Sequence, residues 1–360
     1  MLKTPNPNPT QARGRGAATR PDGRFEALRR EAFHDGWIPE ETPPAQPTEL
    51  ILDTARSVIV INKSPDIPLA QSVNPYRGCE HGCAYCFARP THSYLGLSPG
   101  LDFETKIAWK PDAPERLREE LARPSYRCAP IALGISTDGW QPIERKLGLT
   151  RRLLEVLREC RHPVSIVTKS ALIERDIDLL ADMARDDLVH VMLSVTTLDR
   201  KLSRTLEPRA AAPERRLAAV RTLHEAGVPV GVLFAPLIPA LNDHEMEAVL
   251  EAAAAAGAKT AGYVLLRLPY ELAELFPDWL RRHYPERAAH VMSVLRQMRG
   301  GKDYDAQFGA RMRGKGVFAE LYSQRLRKAC ARLGLNREER GLNTNAFRPP
   351  SKNPAQGELF

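Results

Sequence analysis

The sequence predicts an α/β fold, read as a partial (β/α)6 TIM-like barrel, from three features. Apolar strand-like runs alternate with amphipathic stretches between about residues 69 and 267. Capping and stop residues separate the two kinds of segment, and beyond residue 270 the strand signal ends and only helical patterns continue. Six strands with five intervening helices make an incomplete barrel. An open doubly wound sheet accounts for the same alternation, because strand order is not written in one sequence.

Taken in order, residues 1–50 are rich in Pro, Gly, Arg and Thr, with Pro5, Pro7, Pro9, Pro21, Pro39, Pro43, Pro44 and Pro47 scattered through them. Such a composition buries too little apolar surface to offset its ordering entropy, so a mostly disordered arm is expected, with a short helix near 24–33. The barrel strands are expected at LAQSVNP (69–75), PIALGIS (130–136), PVSIVTK (163–169), LVHVMLSVT (188–196), VPVGVLFAP (228–236) and AGYVLLR (261–267). Helical patterns lie between them at about 112–123, 149–161, 174–185, 213–226 and 242–256, with Gly227 and Gly257 as stops and Asn242 or Asp243 as a cap. Helices at about 271–299 and 317–334 follow. The domains expected are a disordered arm (1–50), the barrel (51–270) and a basic helical C-terminal extension (271–360).

With 43% hydrophobic and 27% charged residues in 360, the chain is neither fibrous nor wholly disordered. Its formal charge of +8 suits a polyanionic partner without naming one. Residues 311–348 hold ten Lys or Arg against three Glu, an excess of seven. A solvated helical face and a DNA- or RNA-binding surface explain this excess equally well. No segment offers a secretory leader or about 18 uninterrupted apolar residues, so no membrane association is expected and the reducing cytoplasm is the expected compartment.

Three of the six cysteines crowd into NPYRGCEHGCAYCFARPTH (74–92), just after the first barrel strand, with the spacing C-x-x-x-C-x-x-C. Thiolates are the usual ligands of iron–sulfur clusters, and a short loop lets Cys79, Cys83 and Cys86 converge on one. Three cysteines for four irons leave one iron open, which is where metal sites do chemistry. A zinc site completed by His81 or His92 is the competing reading, although the paired doublets of a zinc knuckle are missing. Cys128, Cys160 and Cys330 stand alone and read as small buried hydrophobes.

This loop, with Tyr85 directly before the last cysteine, resembles the signature of the radical S-adenosylmethionine (SAM) superfamily. The wider pattern NPYRGCxHGCxYCFARP, ISTDGWQPIE, VTKS, LSVTT and APLIPALND, over about residues 55–270, is similar to a bacterial branch related to spore photoproduct lyase. The resemblance implies a 4Fe-4S cluster on the three cysteines, with SAM chelating the fourth iron. Reductive cleavage of SAM would give a 5′-deoxyadenosyl radical that abstracts hydrogen from substrate. It further implies a low-potential electron donor of the flavodoxin or ferredoxin type.

Active sites of parallel barrels lie at the C-terminal strand ends, so Ser136, Thr137, Asp138, Lys169 and Ser194 are expected around one mouth. A cation and hydroxyls suit the SAM carboxylate and ribose. By the resemblance, Thr137, Lys169 and Ser194 match the lyase's hydroxyl, lysine and serine contacts to SAM, and Tyr85 would pack near the adenine. Each has a plain alternative: a surface charge for Lys169, a strand polar residue for Ser194, a turn or cap for Thr137 and Asp138, a core aromatic for Tyr85. His81 can hydrogen-bond a sulfur or fill a turn, and Arg77 and Arg89 can offset cluster charge or be solvated. One departure is clear. The lyase-type hydrogen-donating cysteine falls at Ile135, whose side chain has no labile hydrogen, so the substrate is not bound to be a thymine dimer.

Overall fold

A computed structural model describes residues 14–25, 47–67, 69–337 and 341–350. Its strands are β1 (Glu49–Leu52), β2 (Ile59–Ile61), β3 (Gln71–Val73), β4 (Tyr76–Arg77), β5 (Lys106–Trp109), β6 (Ile131–Leu133), β7 (Val164–Thr168), β8 (Val189–Ser194), β9 (Val230–Leu237) and β10 (Thr260–Leu265). The main sheet runs β10-β9-β8-β7-β6-β3-β2. Six of its strands, β3 and β6 to β10, are parallel and follow in sequence order, while β2 adds antiparallel to β3. These six are the six expected from the sequence. The order has two free edges, so the partial barrel holds and the doubly wound alternative, which reverses direction at a switch point, does not.

The periodicities explain the packing. Along β7 and β8 buried and part-exposed residues alternate, as a strand's two-residue repeat requires. The helix Leu149–Glu159 buries Leu149, Leu153, Leu154, Val156 and Leu157 against the sheet. Each fully buried leucine contributes about 1.5–3 kcal/mol relative to exposure. Asp199 caps the short helix Arg200–Leu206, accepting from the amides of Lys201 (2.7 Å) and Leu202 (3.3 Å). Pro213 opens the helix Pro213–Glu225, where its missing N–H costs nothing.

Four strands have no counterpart in the sequence expectation. β1, β5 and β4 form a small second sheet beneath the cysteine loop, and β2 extends the main one. All have four residues or fewer, too short for an alternation to register, although the β-branched run Val58–Ile61 was a legible signal for β2.

The expected disordered arm does not hold for residues 14–25. Arg15, Gly16, Ala17 and Ala18 are buried, because the polar backbone of this stretch finds partners on a folded neighbour in place of an apolar core of its own. Nor does it hold at Glu49 and Leu50, which open β1, while residues 1–13 and 26–46, with most of the 24–33 helix, lie outside the described residues.

The C-terminal part folds onto the barrel. The expected helical stretch 271–299 is two helices, Leu272–His283 and Pro285–Gln297, broken where Pro285 starts the second. The helix Val317–Leu333 packs on Met246–Ala255, and the Asn336 side chain both donates to and accepts from Ala261 on the β10 edge. Much of the basic excess is spent internally: Arg311 pairs with Asp66, Lys315 with Asp305, Arg325 with Glu247 and Arg332 with Glu251. Among the described residues no helix is long and apolar enough to cross a membrane.

Candidate active site

The cysteine loop follows β4, at the end of the barrel where the parallel strands terminate. The Cys79 amide donates to the Phe103 carbonyl at 2.9 Å and the Ala84 amide to Leu206 at 2.9 Å, so the loop is pinned to segments on two sides. Arg89 is fully buried, not solvated. Its guanidinium donates to the carbonyls of Cys83 (2.9 Å), Pro99 (3.2 Å) and Gly100 (2.9 Å) and pairs with the buried Glu104 carboxylate. Glu104 in turn accepts from the amides of Gly16 (2.9 Å) and Ala17 (2.8 Å), while Arg15 donates to its carbonyl at 2.7 Å. Residues 14–25 thus form a strap behind the loop. Its approach demands glycine: a Cβ on Gly16 would lie 1.8 Å from the Gly82 carbonyl oxygen, and Gly82 itself has φ +65°. Arg77, by contrast, is exposed and pairs with Asp53 at 2.9 Å.

The strand ends bring the expected side chains to this loop. Asp138 Oδ1 accepts from the Thr168 hydroxyl (2.7 Å) and the Trp140 amide (2.9 Å), and its Oδ2 accepts from the Lys169 amide (2.9 Å). Asp138 therefore fixes the turn after β6 to the end of β7. The Thr137 hydroxyl donates to the Tyr76 carbonyl at 3.1 Å, which ties the same turn to β4. Lys169 places its ammonium 5.9 Å from the centre of the Tyr85 ring, and Ser194 ends β8. Ile135 lies in the loop that follows β6.

Beneath them lies a group that the sequence reading missed. Buried Glu207 accepts from the hydroxyls of Tyr85 and Thr196 (2.8 Å) and pairs with Arg216, which also donates to the Ser194 carbonyl at 3.0 Å. Glu144 forms a similar knot, accepting from Tyr76, from the Thr150 amide (3.1 Å) and from Arg175 (2.8 Å). No local pattern marks Glu207, whereas Glu144 closes the QPIE run that the resemblance covers. The cue available was that Arg216 falls on the face of its helix shared with Ala219, Val220 and Leu223, where a lone arginine needs a buried anion. Asn242 is also not the cap expected of it. Its side chain accepts from Ile238 (2.7 Å) and donates to the carbonyls of Thr196 (2.8 Å) and Pro236 (3.0 Å), holding the loop after β9 against that after β8.

Electrostatics sharpen the picture. Burial pushes the Cys79 thiol well above its ordinary value, with Asp138 and the other two cysteines adding to it. Burial likewise pushes the Cys83 thiol up to about 12, against the opposing charge of Lys169. Burial alone would lower the Lys169 ammonium, yet Cys83, Glu207 and Asp138 hold it above its usual range. Burial also holds His81 down near 4, so its ring is neutral, 3.4 Å from Asp138. His92 is buried with Nε2 2.9 Å from the Lys106 carbonyl and its ring edge-on to Phe103, in the manner of a core histidine. Among the described residues no group of three or more His, Cys, Asp or Glu side chains is arranged to hold a single metal ion.

The three thiols are free, Cys79 and Cys83 are buried, and all three lie close enough for the charge of one to raise the next. Thiols so placed stay protonated until a metal replaces their protons, which is the chemistry of thiolate-bound iron. The donor set fits an iron–sulfur group.

A parallel partial barrel carrying three clustered thiols at its C-terminal mouth defines a class of cofactor-dependent enzymes. Residues 73–253 match the Radical SAM superfamily, and the chain belongs to it. An uncharacterized protein of Mycobacterium bovis is 37% identical over 242 residues, 66% of this chain and 71% of that protein. Another from Methanocaldococcus jannaschii is 28% identical over 48% of this chain and 62% of its own length. Among solved structures, a tyrosine-to-phenylalanine mutant of spore photoproduct lyase is similar at TM-score 0.54 and 15% identity, covering 79% of this chain and 80% of that one. The same lyase complexed with dinucleoside spore photoproduct gives TM-score 0.54 at 14% identity, with the same coverage. The likeness to the lyase is one of fold.

Proposed function

We propose that this chain is a radical SAM enzyme that holds a 4Fe-4S cluster through Cys79, Cys83 and Cys86 and takes hydrogen from an organic substrate. The observation that carries the reading is the set of three free, mutually close thiols on the C-x-x-x-C-x-x-C loop, beside Lys169 and the ends of β6 to β8. When bound, cluster and SAM supply one-electron cleavage of the sulfonium C–S bond and a carbon radical. The chain's own residues orient and enclose. Lys169 offers a cation for the SAM carboxylate, Ser194 and Thr137 offer hydroxyls, and Tyr85 offers a ring face beside Cys86, held by Glu207. Asp138 sets the turn that presents Thr137 and Lys169. Ile135 cannot return a hydrogen atom, so the reading does not require the lyase's substrate.

Anaerobic reconstitution should give about four iron and four sulfide per chain, and dithionite, or a flavodoxin- or ferredoxin-type donor, should then release 5′-deoxyadenosine from SAM. A full cluster with no 5′-deoxyadenosine overturns the proposal in favour of a structural metal site. Cys79→Ala, Cys83→Ala and Cys86→Ala should each lose the cluster, whereas Cys128→Ala should retain it. Salt-dependent binding of DNA or RNA would assign nucleic acid as substrate, because phosphate contacts release counterions. Absent or salt-insensitive binding would assign a peptide or small molecule, the reading favoured by the internal pairing of Arg311, Arg325 and Arg332.

A further inference from the structure

A cavity of about 480 Å³ opens beside the cysteine loop, reaching His81 on one side and the segments after β6, β7 and the helix Arg200–Leu206 on the others. None of Tyr85, Thr137, Asp138, Lys169 or Ser194 lines it, so it adjoins the expected SAM contacts, through His81 and Ser170, without including them. Cavities of ~300–1,000 Å³ are those that hold small organic ligands.

Four arginines, Arg145, Arg175, Arg209 and Arg215, line it against one glutamate, Glu174. Two of the four are spent. Arg175 is fully engaged by Glu144 and Asp176, and Arg215 grips Glu174 through both terminal nitrogens. The other two are not. Arg209 reaches Glu80 through Nη2 alone at 3.2 Å, and exposed Arg145 has no carboxylate partner among the described residues. Arg209 is also held in place, since its amide donates to the His81 carbonyl at 3.2 Å. Between these cations lie the part-exposed Ala171, Leu172, Ala210 and Ala211, an apolar lining suited to a ring or carbon skeleton, with Trp140 buried behind them.

Planar guanidinium forks with unspent donors match the oxygens of a phosphate group, and a half-enclosed wall raises the strength of such bonds above that at open surface. We propose that this cavity binds a phosphomonoester on a small organic body of nucleotide size, its phosphate met by Arg145 and Arg209 and its organic part by Leu172 and Ala210. The site does not rest on the radical reading, because binding is measured without SAM or reductant.

The test is calorimetric titration of the anaerobically purified protein with AMP and with adenosine. AMP should bind about tenfold or more tightly than adenosine, and Arg145→Ala or Arg209→Ala should weaken AMP by about tenfold or more. Arg152→Ala should leave AMP binding unchanged, since Arg152 pairs with Glu115 outside the cavity and controls for net charge. Equal binding of AMP and adenosine, or full AMP affinity in Arg145→Ala, overturns the proposal. Displacement of AMP by SAM would make the cavity part of the SAM site and overturns it too. Tighter binding of an oligonucleotide without a terminal phosphate would overturn the monoester assignment in favour of a strand.

Discussion

Removing the charge of Glu207 tests whether the buried network under the cysteine loop is held by electrostatics. Glu207→Gln keeps the shape and can still hydrogen-bond Tyr85 and Thr196, but leaves Arg216, whose side chain is 1% exposed, without its anion. Two estimates of the cost converge. Burial would raise the Glu207 carboxyl, but Arg216 and Lys169 outweigh it and hold the group near 2 where 4.5 is ordinary, which corresponds to about 3 kcal/mol. Breaking a buried pair from one side costs about 3–5 kcal/mol. Because the folded carboxyl titrates below the unfolded one, this stabilisation is fully present above pH 4.5 and is lost as pH falls towards 2; at pH 3 about 2 kcal/mol of it has gone. The assay is denaturant unfolding of wild type and variant at pH 7 and pH 3. The variant should be about 3–5 kcal/mol less stable at pH 7, with the gap narrowing by about 2 kcal/mol at pH 3. Adding Arg216→Met should recover part of the loss, since no unpaired charge then remains. A pH 7 difference under about 1 kcal/mol, or a gap that does not narrow, refutes the reasoning.

Other substitutions probe the supports of the site. Gly16→Ala places a methyl 1.8 Å from the Gly82 oxygen, so the strap should lift and trypsin should cut faster at Arg15 and Arg20 in a timed digest; unchanged cleavage would contradict the contact. Asn242→Ala removes three buried hydrogen bonds and should cost about 3 kcal/mol by denaturant unfolding, while a loss under about 1 kcal/mol would show the loops hold without it. Lys169→Met should weaken SAM binding about tenfold or more in equilibrium dialysis without reductant, and undiminished binding would remove Lys169 from the cofactor's contacts.

The sequence revealed what is periodic or locally spaced. Six parallel strands, their helices and the cysteine triplet all announce themselves within windows of about twenty residues, and each appeared where it was expected. What escaped depends on pairing across long separations. Tyr85 and Glu207 lie 122 positions apart, and Gly16 meets Glu104 across 88. Neither glutamate differs locally from a solvent-facing one. The strap was misjudged for a related reason: a Pro- and Gly-rich segment has no core of its own, but its backbone amides can be satisfied by another segment's carboxylate. Asn242 sits where a helix cap would, and only the neighbouring loops show that its side chain serves them.

The strap also has a bearing on how the protein should be trimmed and compared. The superfamily match begins at residue 73, yet the segment that backs the cysteine loop is at 14–25. A fragment cut to the matched boundaries would keep the three clustered thiols and the ends of β6 to β9 while stripping two backbone donors from Glu104 and uncovering Gly82. Recognition of the family and backing of the cysteine loop are thus carried by different stretches of one chain.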